Sequence, residues 1–183
     1  GTSIFANCNS LQSVQINSLV DMGQSMFAND MALVRVNAAS LETVSQMGFY
    51  NCIALSRIYN SGYSSTANGL YAPNIVTIGS QAFYNNTGMA SATLLNTTTI
   101  YEKAFYGDKI ITSAKIANNV TSIGERAFSG CTSLKELCIE DGNSVLSLDG
   151  KFIFYDCPLE TVYLGRTLSY NTGFDYNYSP FYD

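Results

Sequence analysis

The chain has 183 residues, 46% of them apolar, 13% aromatic and 13% charged, with a formal net charge of −5. Such a balance excludes a disordered chain, which lacks the aromatics to build a core, and a nucleic-acid binder, which needs a basic stripe to neutralise phosphate. No apolar run approaches the ~20 residues of a membrane-spanning helix, and the absence of histidine excludes Ser-His and Cys-His catalysis and the commonest zinc sites.

In chain order, a phenylalanine returns at Phe5, Phe27, Phe49, Phe83, Phe105, Phe128, Phe154 and Phe181, at spacings of 22, 22, 34, 22, 23, 26 and 27 residues. Three residues after each of the first seven stands a small side chain: Cys8, Asp30, Cys52, Asn86, Asp108, Cys131 and Cys157. The next apolar residue follows as Leu11, Leu33, Leu55, Met89, Ile111 and Leu134, with Leu159 arriving one position early. Alternating pairs then predict one short strand per repeat: Val14/Ile16, Val36/Ala38, Ala92/Leu94, Ala114/Ile116, Leu137/Ile139 and Val162/Leu164 facing inward. In the third repeat Ile58 is followed by Asn60. The fullest copy is residues 120–139, VTSIGERAFSGCTSLKELCI, in which 124–129 reads as a short helix-like turn. A frame of this period predicts a solenoid. One coil buries too few apolar side chains to offset the entropy of ordering its ~22 residues, so the coils must stack. About seven coils at ~4.8 Å each give a slab roughly 35 Å long.

Two stretches break the frame. Residues 59–71 form an insertion rich in Gly, Ser, Asn and Tyr, expected as an edge loop, where binding residues often lie. Residues 165–180, GRTLSYNTGFDYNYSP, carry Tyr170, Tyr176 and Tyr178, which suit an interface or packing against a further coil. Both ends fall within a repeat and the chain opens at Gly1. The expectation is therefore a single repeat domain over 1–183 that is a fragment of a longer array, its leader removed.

The segments IGERAFSGCTSLKELCI, IGSQAFYNN and APNIV resemble the BspA-type leucine-rich repeat over essentially the whole chain. The ending LETVYLGRTLSYNTG…YSPFYD is similar to the longer variant repeat of such proteins from gut and oral bacteria. The motif glycine stands at Gly23, Gly79, Gly124 and Gly150, while Ser45 and Tyr101 replace it in two coils. The resemblance implies an α/β leucine-rich-repeat fold, a right-handed solenoid of about seven coils of 22–27 residues with short helical or irregular returns. It also implies a secreted or surface-anchored bacterial protein, some of whose relatives adhere to host matrix proteins or other bacteria.

The expected function is thus a non-enzymatic surface module binding a host extracellular-matrix or bacterial surface protein, without nucleic acid, cofactor or metal, and not membrane-spanning. The alternatives are glycan binding through tyrosine-rich loops and a passive spacer. Outward strand positions form two rows. One is Ser13, Arg35, Arg57, Ser91, Ser113, Glu136 and Thr161; the other is Gln15, Asn37, Tyr59, Thr93, Lys115, Cys138 and Tyr163. Arg35 and Arg57 stacked beside Tyr59 could grip an acidic partner group, or simply reach to surface carboxylates and water. The other candidate binding residues are Tyr63 and Tyr71 in the insertion, Tyr163 on the last strand, and Tyr176 and Tyr178 in the second break. The cysteines read as a packed column of small residues, with a Cys131–Cys157 disulfide left open and Cys138 facing outward. The carboxylates Glu136, Glu140, Asp141, Asp149, Asp156 and Glu160 read as solvated surface rather than as a calcium or glycosidase site.

Overall fold

The computed structural model describes residues 1–59, 68–71, 73–170 and 179–182. Its strands, numbered in chain order, divide between two parallel sheets. The larger sheet runs β1 (Ser13–Gln15), β2 (Arg35–Asn37), β4 (Arg57–Tyr59), β5 (Gly69–Tyr71), β7 (Ser91–Leu94), β9 (Ser113–Ile116), β11 (Glu136–Ile139) and β13 (Thr161–Leu164). The smaller runs β3 (Thr43–Val44), β6 (Thr77–Ile78), β8 (Thr99–Ile100), β10 (Ser122–Gly124), β12 (Leu146–Asp149) and β14 (Leu168–Tyr170). Between the sheets lies one continuous core.

No helix occurs among the described residues, so the α/β expectation gives way to an all-β solenoid, and most coils carry two short strands rather than one. The physical reason lies in the turn that carries the phenylalanine. Two residues before it the chain takes positive φ at Ser3, Ser25, Met47, Gln81, Lys103, Arg126 and Phe152, and two residues after it at Asn7, Asn29, Asn51, Asn85, Gly107, Gly130 and Asp156. A right-handed helix cannot continue through left-handed residues. The chain turns as an arch instead, and the arch is satisfied by its neighbours: Phe49 N–H donates to Ala82 O at 2.8 Å, Phe83 N–H to Ala104 O at 2.7 Å, and Phe105 N–H to Ala127 O at 2.7 Å. Asparagine suits the second left-handed position because its side chain is short and polar. In the central coils it also bonds along the solenoid, Asn51 Nδ2 to Asn29 Oδ1 at 3.1 Å and Asn85 Nδ2 to Asn51 Oδ1 at 2.7 Å.

The eight repeating phenylalanines, Phe5 to Phe181, form one stacked column, with centroids 5.0–5.6 Å apart and rings within 13° of parallel. The rings from Phe27 to Phe154 are buried, while Phe5 at the open end is 41% exposed. The strand pairs from Val36/Ala38 to Leu137/Ile139 point into the core as their alternation predicts. Val162 and Leu164 differ, at 42% and 51% exposed. They lie on β13, the outermost strand of the larger sheet, and line a cleft of about 400 Å³ with Phe154, Leu159 and Phe181.

The interval expected as a loop insertion is partly strand. Tyr59 closes β4, and Gly69–Tyr71 enter the larger sheet as β5, between β4 and β7. Among the described residues no strand of the smaller sheet lies between β4 and β5, and β3 pairs directly with β6. The second break likewise contains β14, paired with β12. Just before it the Arg166 guanidinium is buried, donating to Asn118 O at 2.6 Å, Ala117 O at 2.9 Å and Ser144 Oγ at 3.2 Å. Desolvation lowers its pKa, with Glu140 opposing the shift.

Candidate functional site

On the outer face of the larger sheet, parallel pairing sets like positions side by side. Arg35 pairs with Arg57 and Asn37 with Tyr59; β5 then places Gly69 beside Arg57 and Tyr71 beside Tyr59. Gly69 is required by close approach, since a Cβ there would stand 2.4 Å from Ser91 Oγ and 2.9 Å from Ser91 O. Four of the candidate residues, Arg35, Arg57, Tyr59 and Tyr71, thus share three adjacent strands. The Arg57 guanidinium lies over the Tyr59 ring, 4.8 Å from its centroid, a cation–π contact that orients the guanidinium along the sheet. The Tyr71 hydroxyl is 3.2 Å from Ser91 Oγ. The cluster can present two positive forks and two rings to a carboxylate-bearing surface.

Tyr163 stands apart, on β13, four strands from β5 and so roughly 19 Å away at ~4.8 Å per strand. Its hydroxyl donates to Asp141 Oδ1 at 2.7 Å, and this bond to the carboxylate, with its charge, raises the tyrosine pKa. Beside it Cys138 is half-buried between Lys115 and Tyr163. Lys115 Nζ pairs with Glu140 at 2.7 Å, which raises the lysine pKa through hydrogen bonding and charge. Tyr63, Tyr176 and Tyr178 lie outside the described residues.

The remaining acidic side chains are dispersed. Lys135 Nζ meets Glu160 at 2.5 Å, Ser122 Oγ donates to Asp149 at 2.8 Å, and Glu136 and Asp156 are exposed. Among the described residues no group of three or more His, Cys, Asp or Glu is placed to hold a metal ion, and no helix is long and apolar enough to cross a membrane.

The cysteine column is structural in its geometry. Cys52 Sγ–H points to Phe27 O at 2.9 Å, Cys131 to Phe105 O at 3.3 Å and Cys157 to Phe128 O at 3.1 Å, each reaching the coil before it. Cys131 and Cys157 are free thiols. Burial pushes the Cys52 pKa up to about 12 and that of Cys131 well above its ordinary value, so neither is a thiolate nucleophile. Asp30 and Asp108 occupy the same column. Burial raises both carboxyl pKa values, that of Asp108 well above its usual range with the Ile110 N–H opposing the shift, and neither Asp108 oxygen has a well-formed hydrogen bond among the described residues.

One aromatic column escaped the reading of the sequence. Immediately after the phenylalanines come Tyr50, Tyr84 and Tyr106, stacked at 4.9 Å, and later Tyr155 and Tyr182, stacked at 6.2 Å. Their spacing repeats that of the phenylalanines, so the signal was present. It was obscured because Ala6, Ala28 and Ser129 interrupt it.

The architecture has counterparts. A search of curated proteins finds no match. The fold is similar to the crystal structure of a leucine-rich repeat protein from Bacteroides ovatus ATCC 8483, with a TM-score of 0.61 and 20% identity over 87% of this chain and 44% of that one. This chain therefore spans less than half the length of that structure. Residues 1–97 and 62–178 match the BspA type leucine rich repeat region in six copies. Two parallel sheets, a buried phenylalanine column and these repeats agree: the chain belongs to the BspA-type leucine-rich repeat family.

Proposed function

We propose that this chain is a non-enzymatic adhesion module, displayed outside the cell, that binds an acidic patch on a host extracellular-matrix or bacterial surface protein. The family's repeats suggest a protein-interaction module in general. The observation that carries the finer reading is the grouping of Arg35, Arg57, Tyr59 and Tyr71 on β2, β4 and β5. Like charges set directly opposite across strands are destabilising, and an incoming carboxylate would relieve that repulsion. Arginine and tyrosine are also the residues that most often dominate interface energetics.

The test is binding of the chain to a panel of matrix proteins and glycans, beside the double variant Arg35→Ala/Arg57→Ala. The expected result is a protein hit weakened about tenfold or more in the variant, as loss of two hot-spot arginines implies. A protein hit of unchanged affinity in the folded variant would remove the site from this cluster. A panel answered only by glycans would favour the glycan-binding alternative.

A further inference from the structure

Between Tyr50 and Tyr182 the tyrosine column lacks one rung. Tyr106 occupies it in one coil and Tyr155 two coils later, but the coil between presents Ser129, which is only 3% exposed and forms the floor of a slot. The slot measures about 440 Å³ and is walled by Tyr106, Phe152, Tyr155 and Tyr182, with Arg126 at its rim. In the adjoining phenylalanine column the two steps across this coil are 5.0 and 5.5 Å. Tyr106 and Tyr155 therefore stand about 10 Å apart, room for one further ring at the 4.5–7 Å centroid distance of stacked aromatics.

We propose that this slot takes an aromatic side chain of a partner protein, one with a carboxylate close to its ring. The proposal rests on the protein-binding reading for the class of partner, and places the contact on the arch edge rather than on the sheet. Three observations favour that occupant. First, the slot lies in line with the rungs at which the chain stacks its own tyrosines, 4.9 Å per rung from Tyr50 to Tyr106 and 6.2 Å from Tyr155 to Tyr182. Second, the walls brace one another: Phe152 meets Tyr155 edge-on at 5.4 Å and Tyr182 at 6.0 Å, so little is lost on ordering when a ring enters. Third, Arg126 already lies over Phe152 at 5.2 Å from the centroid. A cation over this aromatic cluster is supplied by the protein itself, which repels an ammonium ligand and attracts an anion. Among the described residues the guanidinium makes one salt bridge, a loose one to Glu125 at 3.8 Å, and its side chain is 40% exposed, so the fork can turn to receive a carboxylate.

The experiment is ligand-observed NMR on the whole chain with three probes: N-acetyl-tyrosine, its carboxamide and methyl glucoside. N-acetyl-tyrosine is expected to bind and the carboxamide to bind roughly threefold more weakly, in keeping with an exposed ion pair. Arg126→Gln should erase that difference. Ser129→Tyr fills the missing rung and should lower binding about tenfold or more, as loss of a stacked site implies. If Ser129→Tyr fails to melt cooperatively, Tyr155→Ala removes a wall in its place and should weaken binding likewise. Tyrosine probes that do not bind, or that bind equally with the slot filled or its wall removed, overturn the proposal. Binding of the glucoside alone, lost in Ser129→Tyr, also overturns it and assigns the slot to a glycan. Failure of the arginine pair on the sheet leaves these outcomes unaffected, so the two readings fall separately.

Discussion

The two sides of the solenoid count the same 34-residue interval differently. On the arch side Phe49 stacks directly on Phe83 at 5.6 Å, and Asn51 accepts from Asn85, as if a single coil had passed. On the side of the larger sheet the interval contributes two strands, β4 and β5, where other coils contribute one. A parallel sheet takes an added strand readily, even between two others, because backbone donors and acceptors are the same in every residue. An aromatic column gains only when each ring meets the next, so the arch closed over the insertion while the sheet absorbed it. The added strand brings Tyr71 next to Tyr59 and Gly69 next to Arg57, on the face where the protein-binding site is proposed.

That contrast can be broken from either side. The largest effect is expected at the ladder. Phe83→Ala removes the ring that closes over the insertion and should cost about 3–5 kcal/mol, as for other buried phenylalanines, read by chemical denaturation. Gly69→Val attacks the added strand instead. Its Cβ would meet Ser91 at 2.4 Å, and overpacking of this kind costs about 1–3 kcal/mol. Hydrogen exchange should then quicken at β4, β5 and β7 and stay slow at Phe49 and Phe83. Exchange that quickens equally on both sides would show the two to be one cooperative unit. Asn51→Ala takes out the amide that spans the interval. It should cost about 1–2 kcal/mol, through lost hydrogen bonds and a left-handed residue without its polar side chain.

The smallest effect is expected in the buried polar column and carries the opposite sign. Burial raises the Asp108 carboxyl pKa above its unfolded value. The stability linked to that proton is fully present below the unfolded pKa of about 3.9 and is lost as pH rises through the folded value. Asp108→Asn, which matches Asn86 one rung away, should therefore raise Tm by a few degrees at neutral pH. The gain should vanish towards pH ~3.5, where the native carboxyl is protonated in both states. A Tm difference that does not change with pH would show that charge at Asp108 is not the cause.

Much of this was legible from residues alone. The interval of 22 or 23 between aromatic side chains places Phe27, Phe49, Phe105 and Phe128 in one column, because a solenoid turns equal spacing along the chain into equal position in space. The same argument sets Arg35 beside Arg57, since parallel register follows from the repeat. The tyrosine column has the same period at Tyr50, Tyr84 and Tyr106, but its half-exposed rings stand outside the apolar alternation that marks the core. The turn expected at 124–129 is present but is not helix-like, because spacing does not report the sign of φ at Arg126.

What the sequence determined by itself was therefore the period, the identity of the inward side chains and the family, all properties of one coil repeated. What only the tertiary structure decided was everything that depends on how coils meet where the repeat is imperfect. The three residues Gly69–Tyr71 are too short to announce a strand, and pair because β4 and β7 leave a place between them. Val162 and Leu164 carry the right alternation for a core, yet their burial depends on a neighbour beyond β13. The slot above Ser129 exists only because rings from neighbouring coils stand on either side of it. Local pattern chooses which face a side chain takes; the neighbouring coil decides whether that face is covered.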